Sequence, residues 1–314
     1  MNRTKGTEQA ALVAAGATML LWASAFVAIR AAAPYFSPGA LALGRMLVAS
    51  VVLGAILLIR REGWPSRAAW PGIIASGVLW FGLYMVTLNW GEESVDAGTA
   101  ALIMGVGPIL IALLSARLLH ERITRFLLIG LAVSFAGTAV IGISVSDGGG
   151  SSVAGMLLCL VAAAAFACGV VAQKPALRHA SAVQVTTFGC VVASVACLPF
   201  AGQLVTEVGA APAPAVLNMV YLGLFPTALA FTTWGYALHR LRAGTLGATT
   251  YVVPVLVVAL SWIVLREVPG ALTVAGGLLC LAGVAVSRMR DRQPAPAVRQ
   301  PERPAAPVAS VDKG

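Results

Sequence analysis

The sequence predicts an all-α integral membrane protein with ten transmembrane helices, arranged as two five-helix repeats of opposite topology. The prediction rests on composition, on ten apolar runs and on an internal repeat. Of the 314 residues, 59% are hydrophobic and 11% are charged, and the mean hydropathy is +0.89. A soluble domain carries about 45–50% apolar and about 25% charged residues. The chain therefore has too little charge for a soluble surface, which excludes a cytosolic enzyme, a nucleic-acid-binding module and a disordered protein.

Ten apolar runs are long enough to cross a bilayer, which requires about 20 mostly apolar residues. The first run is longer than the core of a secretory signal, about 7–15 residues, so we expect it to be retained as a helix. After the last run, residues 288–314 are rich in Pro and Ala and are expected to form a disordered cytoplasmic tail. The predicted spans are 10–33, 38–59, 69–90, 97–118, 124–144, 153–173, 182–203, 214–237, 244–265 and 268–287.

The positive charges predict the orientation of these spans. With the N-terminus inside, 18 of the 21 Lys and Arg residues fall in cytoplasmic loops and tails. Arg30 and Arg266 lie on the outer side, and Arg45 lies within span two. Basic residues concentrate on the cytoplasmic side of membrane proteins. We therefore expect both termini to be cytoplasmic and the protein to lie in the cell (inner) membrane, and we read the net charge of +9 as topology rather than affinity for nucleic acid.

The chain repeats itself at an offset of about 144 residues. The segment "VASV" occurs at 48–51 and at 192–195, and the same offset aligns Trp22 with Phe166 and Arg30 with Lys174. From residue 97 to 140 the offset is 146 without a gap, and it aligns Ala97-Gly98-Thr99 with Ala243-Gly244-Thr245, Pro108 with Pro254 and Glu121 with Glu267. The repeats are predicted to span residues 10–144 and 153–287.

Matching helices carry opposite loop charges in the two repeats. Arg60, Arg61 and Arg67 align with the uncharged residues Leu204, Val205 and Ala211, and the acidic loop at 92–96 aligns with the basic loop at 239–242. Five spans is an odd number, so the second copy must enter the membrane from the other side. Inverted repeats of this kind are common in secondary transporters.

Two stretches resemble the C-terminal half of an EamA domain, the repeat unit of the ten-helix drug/metabolite transporter superfamily. They read "AGTAALIMGVGPILIALLSARLLHERITRFLLIGLAVSFAGTAVIG" and "AGTLGATTYVVPVLVVALSWIVLREVPGALTVAGGLLCLAGVAVS". The motifs "LWASAFVAIR" and "ALGRM" resemble the start of such a repeat. Similarity to this family implies a solute carrier, commonly an exporter of amino acids or related metabolites. In the second copy Gly189 stands where the first has Arg45, and "LLHER" and "VLREV" lack the Gly that often precedes the Glu.

Polar and aromatic side chains near the middle of the spans are candidates for substrate binding, because such carriers bind their solute near the membrane midplane. Residues at spacings of three and four share one face of a helix, as they do in spans three and eight. Anchoring in lipid or at the interface is the alternative for each aromatic. The candidates are Trp22, Ser24, Trp80, Tyr84, Thr87, Met104, Thr227, Phe231, Trp234, Thr250 and Tyr251.

Arg45 is the one ionisable residue clearly inside a span. A charge in the membrane is costly and indicates a functional site, so Arg45 could bind a substrate carboxylate. The alternative is that it extends to the outer interface or caps backbone carbonyls. Arg30, Glu92, Glu93 and Asp96 lie on the same side and could be its neighbours.

Two prolines and two glutamates occupy matching positions in the repeats. Pro108 and Pro254 each remove a backbone donor, which predicts either a hinge or a passive kink. Glu121 and Glu267 each precede a helix, where a carboxylate meets free N–H groups. Capping is the favoured role for the two glutamates, and a gate is the alternative.

These features predict a secondary transporter that exports amino acids or related small polar metabolites by alternating access. An uptake carrier and a facilitative channel for a neutral metabolite are the alternatives. An intramembrane enzyme is disfavoured, because no nucleophile–base pair, GxSxG or HExxH motif occurs. No metal site or cofactor is expected, and the five cysteines are expected to be small buried hydrophobes. The expected partners are a small-molecule substrate and the lipid bilayer, and the sequence leaves the oligomeric state open.

Overall fold

The computed structural model describes residues 2–95, 97–145, 152–265 and 270–289, and these residues fold into helices joined by loops. The predicted tail lies outside the described residues from position 290 onward. We number the helical segments between loops α1 to α10. They are α1 Asn2–Ala32, α2 Pro38–Arg60, α3 Arg67–Gly91, α4 Ala97–Met104 with Gly107–Leu119, α5 Arg125–Val145, α6 Val153–Ala176, α7 Ala182–Ala196 with Ala201–Ala210, α8 Ala213–Arg240, α9 Ala243–Ala248 continuing through Thr249–Tyr251 and Val252–Leu265, and α10 Ala271–Ser287.

Seven helices in the described residues are long and apolar enough to cross a membrane, and the count rises to eight if the bent α7 is one span. The seven lie in α2 to α6, α8 and α9. Helix α10 is apolar but only 17 residues long. The chain is therefore a multi-pass, all-helical membrane protein, and the number ten stays a prediction.

Local sequence explains several helix ends. Pro38 occupies the first turn of α2, where its missing N–H costs nothing. Ser181 and Gln184 form a capping box at the start of α7, each side chain accepting from the other residue's backbone N–H. Arg61 and His120 end α2 and the second half of α4 in the left-handed conformation, with φ of 51° and 54°. The left-handed turn at His120 redirects the chain immediately before Glu121.

Two helices and one cysteine differ from the predictions. The predicted span 182–203 falls in α7, which bends by 58° after Ala196 and continues to Ala210. Pro199 lies at this bend, and a proline cannot donate the hydrogen bond that would continue a helix. Helix α1 begins at Asn2 rather than residue 10. Cys168 is exposed, whereas the other four cysteines are buried as expected.

The regular hydrogen bonding of α3 and α8 changes at matching places. Residues Gly77–Tyr84 of α3 and Gly223–Leu229 of α8 are π-helical, with i→i+5 bonds. The two π-helical stretches begin 146 residues apart. Such wide turns are rare and occur frequently at functional sites, so both repeats place an irregular turn in their third helix.

Helices α4 and α9 are also interrupted at matching places. In α4 a turn at residues 105–106 separates the two halves, and in α9 the Thr249–Tyr251 segment is a 3-10 turn. Pro108 and Pro254 lie in the first turn of the half that follows each break. In that position a proline replaces no regular bond. Each proline therefore restarts a helix after its break.

Packing between the two halves of the chain follows a simple rule. Helix α1 packs on α8 and α3 packs on α6, while α2, α4 and α5 pack on α7, α9 and α10 respectively. Each of the first five helices has a counterpart five helices later in the chain. Exchanging every helix for its counterpart turns the contact of α1 with α8 into that of α6 with α3, and it leaves the other three pairs unchanged. A two-fold axis between two equivalent halves produces this pattern.

The pair α5 and α10 approaches closely and runs antiparallel. A Cβ atom at Gly130 would lie 2.5 Å from the carbonyl oxygen of Gly283, and one at Gly137 would lie 2.7 Å from that of Gly276. Small residues allow helix backbones to meet in this way in membranes. Residues that are further along α5 meet residues that are earlier in α10, so the two helices point in opposite directions.

Three pairs of residues that the repeat offset aligns are in contact with each other. Ser134 donates a hydrogen bond to the carbonyl of Cys280 at 3.1 Å, across 146 positions. Tyr251 donates to the carbonyl of Gly105 at 2.5 Å, also across 146 positions. The rings of Trp22 and Phe166, 144 positions apart, lie 6.5 Å apart. In each of these pairs the aligned residues meet where the two halves of the chain pack together.

Candidate functional site

An aromatic cluster occupies the centre of the described structure. It is formed by side chains from α1, α3, α6 and α8. Most of these rings are shielded: Trp80, Phe81, Phe231 and Trp234 are at most 1% exposed. The aromatic cluster comprises Trp22, Trp80, Phe81, Tyr84, Phe166, Phe231 and Trp234.

Trp22 of α1 contacts aromatic rings from the three other helices of the cluster, α3, α6 and α8. Its ring centroid lies 5.0 Å from Trp234, 6.0 Å from Trp80 and 6.2 Å from Phe231. The ring itself is half-buried. Trp22 also contacts Phe166, the residue with which the repeat offset aligns it.

Spans three and eight meet in this cluster. The ring of Trp80 lies 4.8 Å from that of Phe231 and 5.8 Å from that of Trp234. Tyr84 is half-buried and packs on Phe166 at 5.5 Å. Offset or edge-on contacts at these distances are favourable between aromatic rings.

Arg45 lies beside the aromatic cluster. It is 3% exposed, so its guanidinium does not extend to the surface. One terminal nitrogen, Nη2, donates to the hydroxyl of Thr227 at 3.2 Å, and the described residues give Nε no partner. Thr227 is one helical turn before Phe231 in α8, and Tyr84 and Cys190 are the other electrostatic neighbours of the guanidinium.

Within the described parts of the chain, Arg45 makes no ion pair with a carboxylate. Glu93 is exposed, Asp96 lies outside the described residues, and the side chains of Arg30 and Glu92 are not described. A buried cation without an anion is costly. Arg45 therefore has unused donor capacity in an apolar surrounding, and a carboxylate would satisfy it.

The remaining candidates make contacts elsewhere in the structure. Ser24 shares a hydrogen bond with the hydroxyl of Tyr221 at 2.8 Å, and Thr87 donates to the carbonyl of Leu83 in its own helix. Thr250 donates to Gly247 within its turn, and Met104 is half-buried at the break in α4. These residues are not in the aromatic cluster.

Tyr251 closes the break in α4. The turn at 105–106 leaves the carbonyl of Gly105 outside the helical ladder, and the buried hydroxyl of Tyr251 donates to it. The breaks in α4 and α9 are joined by this hydrogen bond, and Pro108 and Pro254 follow directly after them. Both helices can therefore bend at the same place.

Glu121 joins three segments at one end of the molecule. It forms an ion pair with Lys174 of α6, and both side chains are largely buried, at 12% and 14% exposure. Its carboxylate also accepts from the backbone N–H groups of Ala243 and Gly244 at the start of α9. Thr124, rather than Glu121, caps α5. Glu267, the residue aligned with Glu121, lies outside the described residues.

Four buried polar side chains have atoms without partners in the described structure. Three of them lie close to the helix ends that the sequence places on the cytoplasmic side, and the fourth, Trp234, belongs to the aromatic cluster. Buried polar groups are nearly always bonded to protein or water. Of these four, only Trp234 is among the predicted candidates, although Gln173 is signalled by an amide in an otherwise apolar run. The four are Gln173, Thr186, Trp234 and Thr245.

The described residues contain no group of three or more His, Cys, Asp or Glu side chains suited to a metal ion. What the site offers is a desolvated cation, hydroxyl groups and aromatic surface. These groups can bind an amphiphilic solute with an anionic end.

Comparison with known proteins supports a transporter fold. The sequence model of the EamA-like transporter family matches residues 9–143 and 153–289. A "probable terminal-alkyne amino-acid exporter" of Streptantibioticus cattleyicolor is 37% identical over 278 residues, 87% of this chain and 91% of that protein. The "uncharacterized transporter YdfC" of Bacillus subtilis is 31% identical over 86% of this chain and 88% of its own length.

Two further similarities are more distant. A "probable amino-acid metabolite efflux pump" of Salmonella typhimurium is 24% identical over 86% of this chain and 91% of its own length. A solved crystal structure shares the fold with a TM-score of 0.73 at 22% identity, over 89% of this chain and 96% of that one.

Proposed function

Because the chain belongs to the EamA-like transporter family, we propose that it exports amino acids or related small polar metabolites by alternating access. Membership of this family makes it a membrane transporter and not an enzyme. Similarity to two proteins named as an amino-acid exporter and an amino-acid metabolite efflux pump favours export and this class of solute.

The proposed architecture is two inverted repeats of five spans, residues 10–144 and 153–287, in the inner membrane with both termini cytoplasmic. The family model matches both halves over similar bounds. The antiparallel packing of the matching helices α5 and α10 supports the inversion, because equivalent helices that point in opposite directions must enter the membrane from opposite sides. The distribution of basic residues supports the orientation.

The observation that carries the proposed substrate site is Arg45 beside the aromatic cluster. Carriers built from inverted repeats bind their solute at the repeat interface, and the contact of Trp22 with its aligned residue Phe166 supports a solute site at this cluster. We assign the substrate carboxylate to Arg45 and Thr227, and the rest of the solute to the rings.

The same features suggest which side is closed. Gln173 lies seven residues beyond Phe166 on one face of α6, about 10 Å toward the proposed cytoplasmic end. Its amide, the Trp234 N–H and two hydroxyls lack partners in the described structure. Water would satisfy them in an open vestibule. We propose that they line the cytoplasmic entrance, shut here by the Glu121–Lys174 ion pair.

Direct measurement of efflux tests this proposal. Cells or proteoliposomes containing the protein are loaded with labelled amino acids, and loss of label is compared with that from the Arg45→Gln variant. We expect faster efflux only with the parent protein. Net accumulation of label would indicate an uptake carrier, and equal rates for the two proteins would remove Arg45 from the site.

A further inference from the structure

A groove with a volume of about 470 Å³ opens on the outside of the helix bundle. It runs between α1, α9 and α10 and lies apart from the aromatic cluster. Its walls are almost entirely apolar, and Arg288 stands at one end, directly after α10. The apolar wall residues include Leu12, Gly16, Leu20, Val252, Leu256 and Val284.

Gly16 accounts for part of this empty space. A Cβ atom at Gly16 would have no neighbouring atom within 4 Å, so the missing side chain leaves a gap. Most glycines inside this bundle instead lie against a neighbouring helix, as Gly137 does. Close packing therefore does not explain glycine at position 16.

The dimensions of the groove fit one leaflet of the membrane. Leu12 and Leu20 are eight residues apart in α1, which is about 12 Å along the helix. Half of a bilayer's hydrocarbon core is about 15 Å thick. In the proposed orientation the Arg288 end faces the cytoplasm, and the groove reaches from the headgroup level to near the midplane.

The positive charge at the Arg288 end of the groove favours an anionic ligand. The sequence continues from Arg288 with two more arginines, at positions 290 and 292, and Arg3 and Lys5 lie near the start of α1. Against these five cations stand only Glu8 and Asp291 in the same two stretches. Basic pockets between helices on the cytoplasmic side bind anionic lipid headgroups.

We propose that this groove binds one anionic phospholipid of the cytoplasmic leaflet. An acyl chain lies over Gly16 between α1 and α9, and the phosphate pairs with the guanidinium of Arg288. The choice of leaflet rests on the proposed orientation, but the binding itself does not depend on orientation or on the transported solute.

Thermal unfolding of the purified full-length protein in detergent tests the proposal, with phosphatidylglycerol or phosphatidylcholine added. We expect phosphatidylglycerol to raise Tm by about 2–4 °C and phosphatidylcholine to raise it much less. Gly16→Leu, which fills the groove, and Arg288→Gln, which removes the charge, should each abolish the difference between the lipids. Gly54→Leu, at another glycine with open space, and Arg178→Gln, at another exposed arginine, should keep it.

Three outcomes would overturn the proposal: equal stabilisation by the two lipids, an undiminished difference in Gly16→Leu or Arg288→Gln, or its loss in the controls. Stabilisation that appears only after truncation at residue 289 would assign the groove to the chain's own tail. The Tm of each variant without lipid shows whether it is folded, and none of these readings depends on transport activity.

Discussion

Ser134 donates its hydroxyl hydrogen to the carbonyl oxygen of Cys280, and each of these residues is the counterpart of the other in the repeat. The bond crosses the contact between α5 and α10, where four glycines allow the backbones to meet. The last helix of each half, α5 and α10, thus holds the two halves together.

This contact predicts a strong effect of side-chain size. Gly137→Leu should lower stability by about 1–3 kcal/mol, because the new side chain would meet the backbone of Cys280 and Gly276. Thermal unfolding of the purified protein measures the change. Gly54→Leu, where there is open space, is the control, and equal Tm values for the two variants would contradict the packing.

Reporter fusions test the proposed topology. Fusions after residues 64, 122, 178 and 240 should report a cytoplasmic position, and those after 94, 148 and 208 an external one, because the basic loops stay inside. Activity of alkaline phosphatase and fluorescence of green fluorescent protein give opposite readouts. Repeats of the same orientation would place positions 64 and 208 on one side, which would exclude an inverted arrangement.

Conservative replacement of Arg45 tests carboxylate binding. Arg45→Lys keeps the charge but loses the planar pair of donors, so efflux should fall by about tenfold or more. Efflux from proteoliposomes, normalised to folded protein, measures this. If Arg45 serves only the packing, Lys will support normal efflux and Arg45→Gln will lower the yield of folded protein instead.

The ion pair of Glu121 with Lys174 predicts a change in accessibility. In a background without native cysteines, Gln173→Cys should react slowly with a water-soluble thiol reagent. Adding Glu121→Gln removes the charge that holds α6 and α9 together, so the closed state should be less stable. We expect the labelling rate to rise by about tenfold, which corresponds to about 1.4 kcal/mol less stabilisation of the closed state. Glu62→Gln disrupts the more exposed pair with Arg60 and should change nothing. An unchanged rate with Glu121→Gln would assign it a capping role alone.

Thiol labelling also tests which side of α3 faces the solute. Tyr84→Cys should react and be protected by a transported solute, since Tyr84 is half-buried beside Arg45 and Phe166. Thr227→Cys, at a position with 0% exposure, should react only when the protein opens. Val86→Cys is the control that should stay unreactive. Equal reactivity at positions 84 and 86 would assign the solute to another face.

Much of this arrangement was predictable from composition and repetition. Apolar run length placed most helices within a few residues, because the bilayer fixes how long a span must be. The offset between repeats aligned Trp22 with Phe166, and the rings of this pair meet in the structure. The i, i+4 spacing of Trp80 and Tyr84 correctly grouped them, although they lie in a π-helix that no residue pattern announced.

The contacts that join distant helices were not predictable. The partner of Glu121 is a lysine 53 residues away, and its backbone donors belong to α9, so the sequence beside Glu121 carries no trace of them. The bend of α7 follows from Pro199, but its angle depends on what the second half packs against. The unpaired amide of Gln173 likewise depends on how α6 rotates against its neighbours.

The bond from Tyr251 to Gly105 has an energetic consequence for the proposed transport cycle. In a chain with two identical halves, the inward- and outward-facing states would be related by exchanging the halves, and they would have equal free energies. Gly105 has no hydroxyl to return the bond, so this contact cannot be exchanged. Each such difference between the halves gives the inward- and outward-facing states different free energies. These differences therefore determine which state the carrier occupies when no solute is bound.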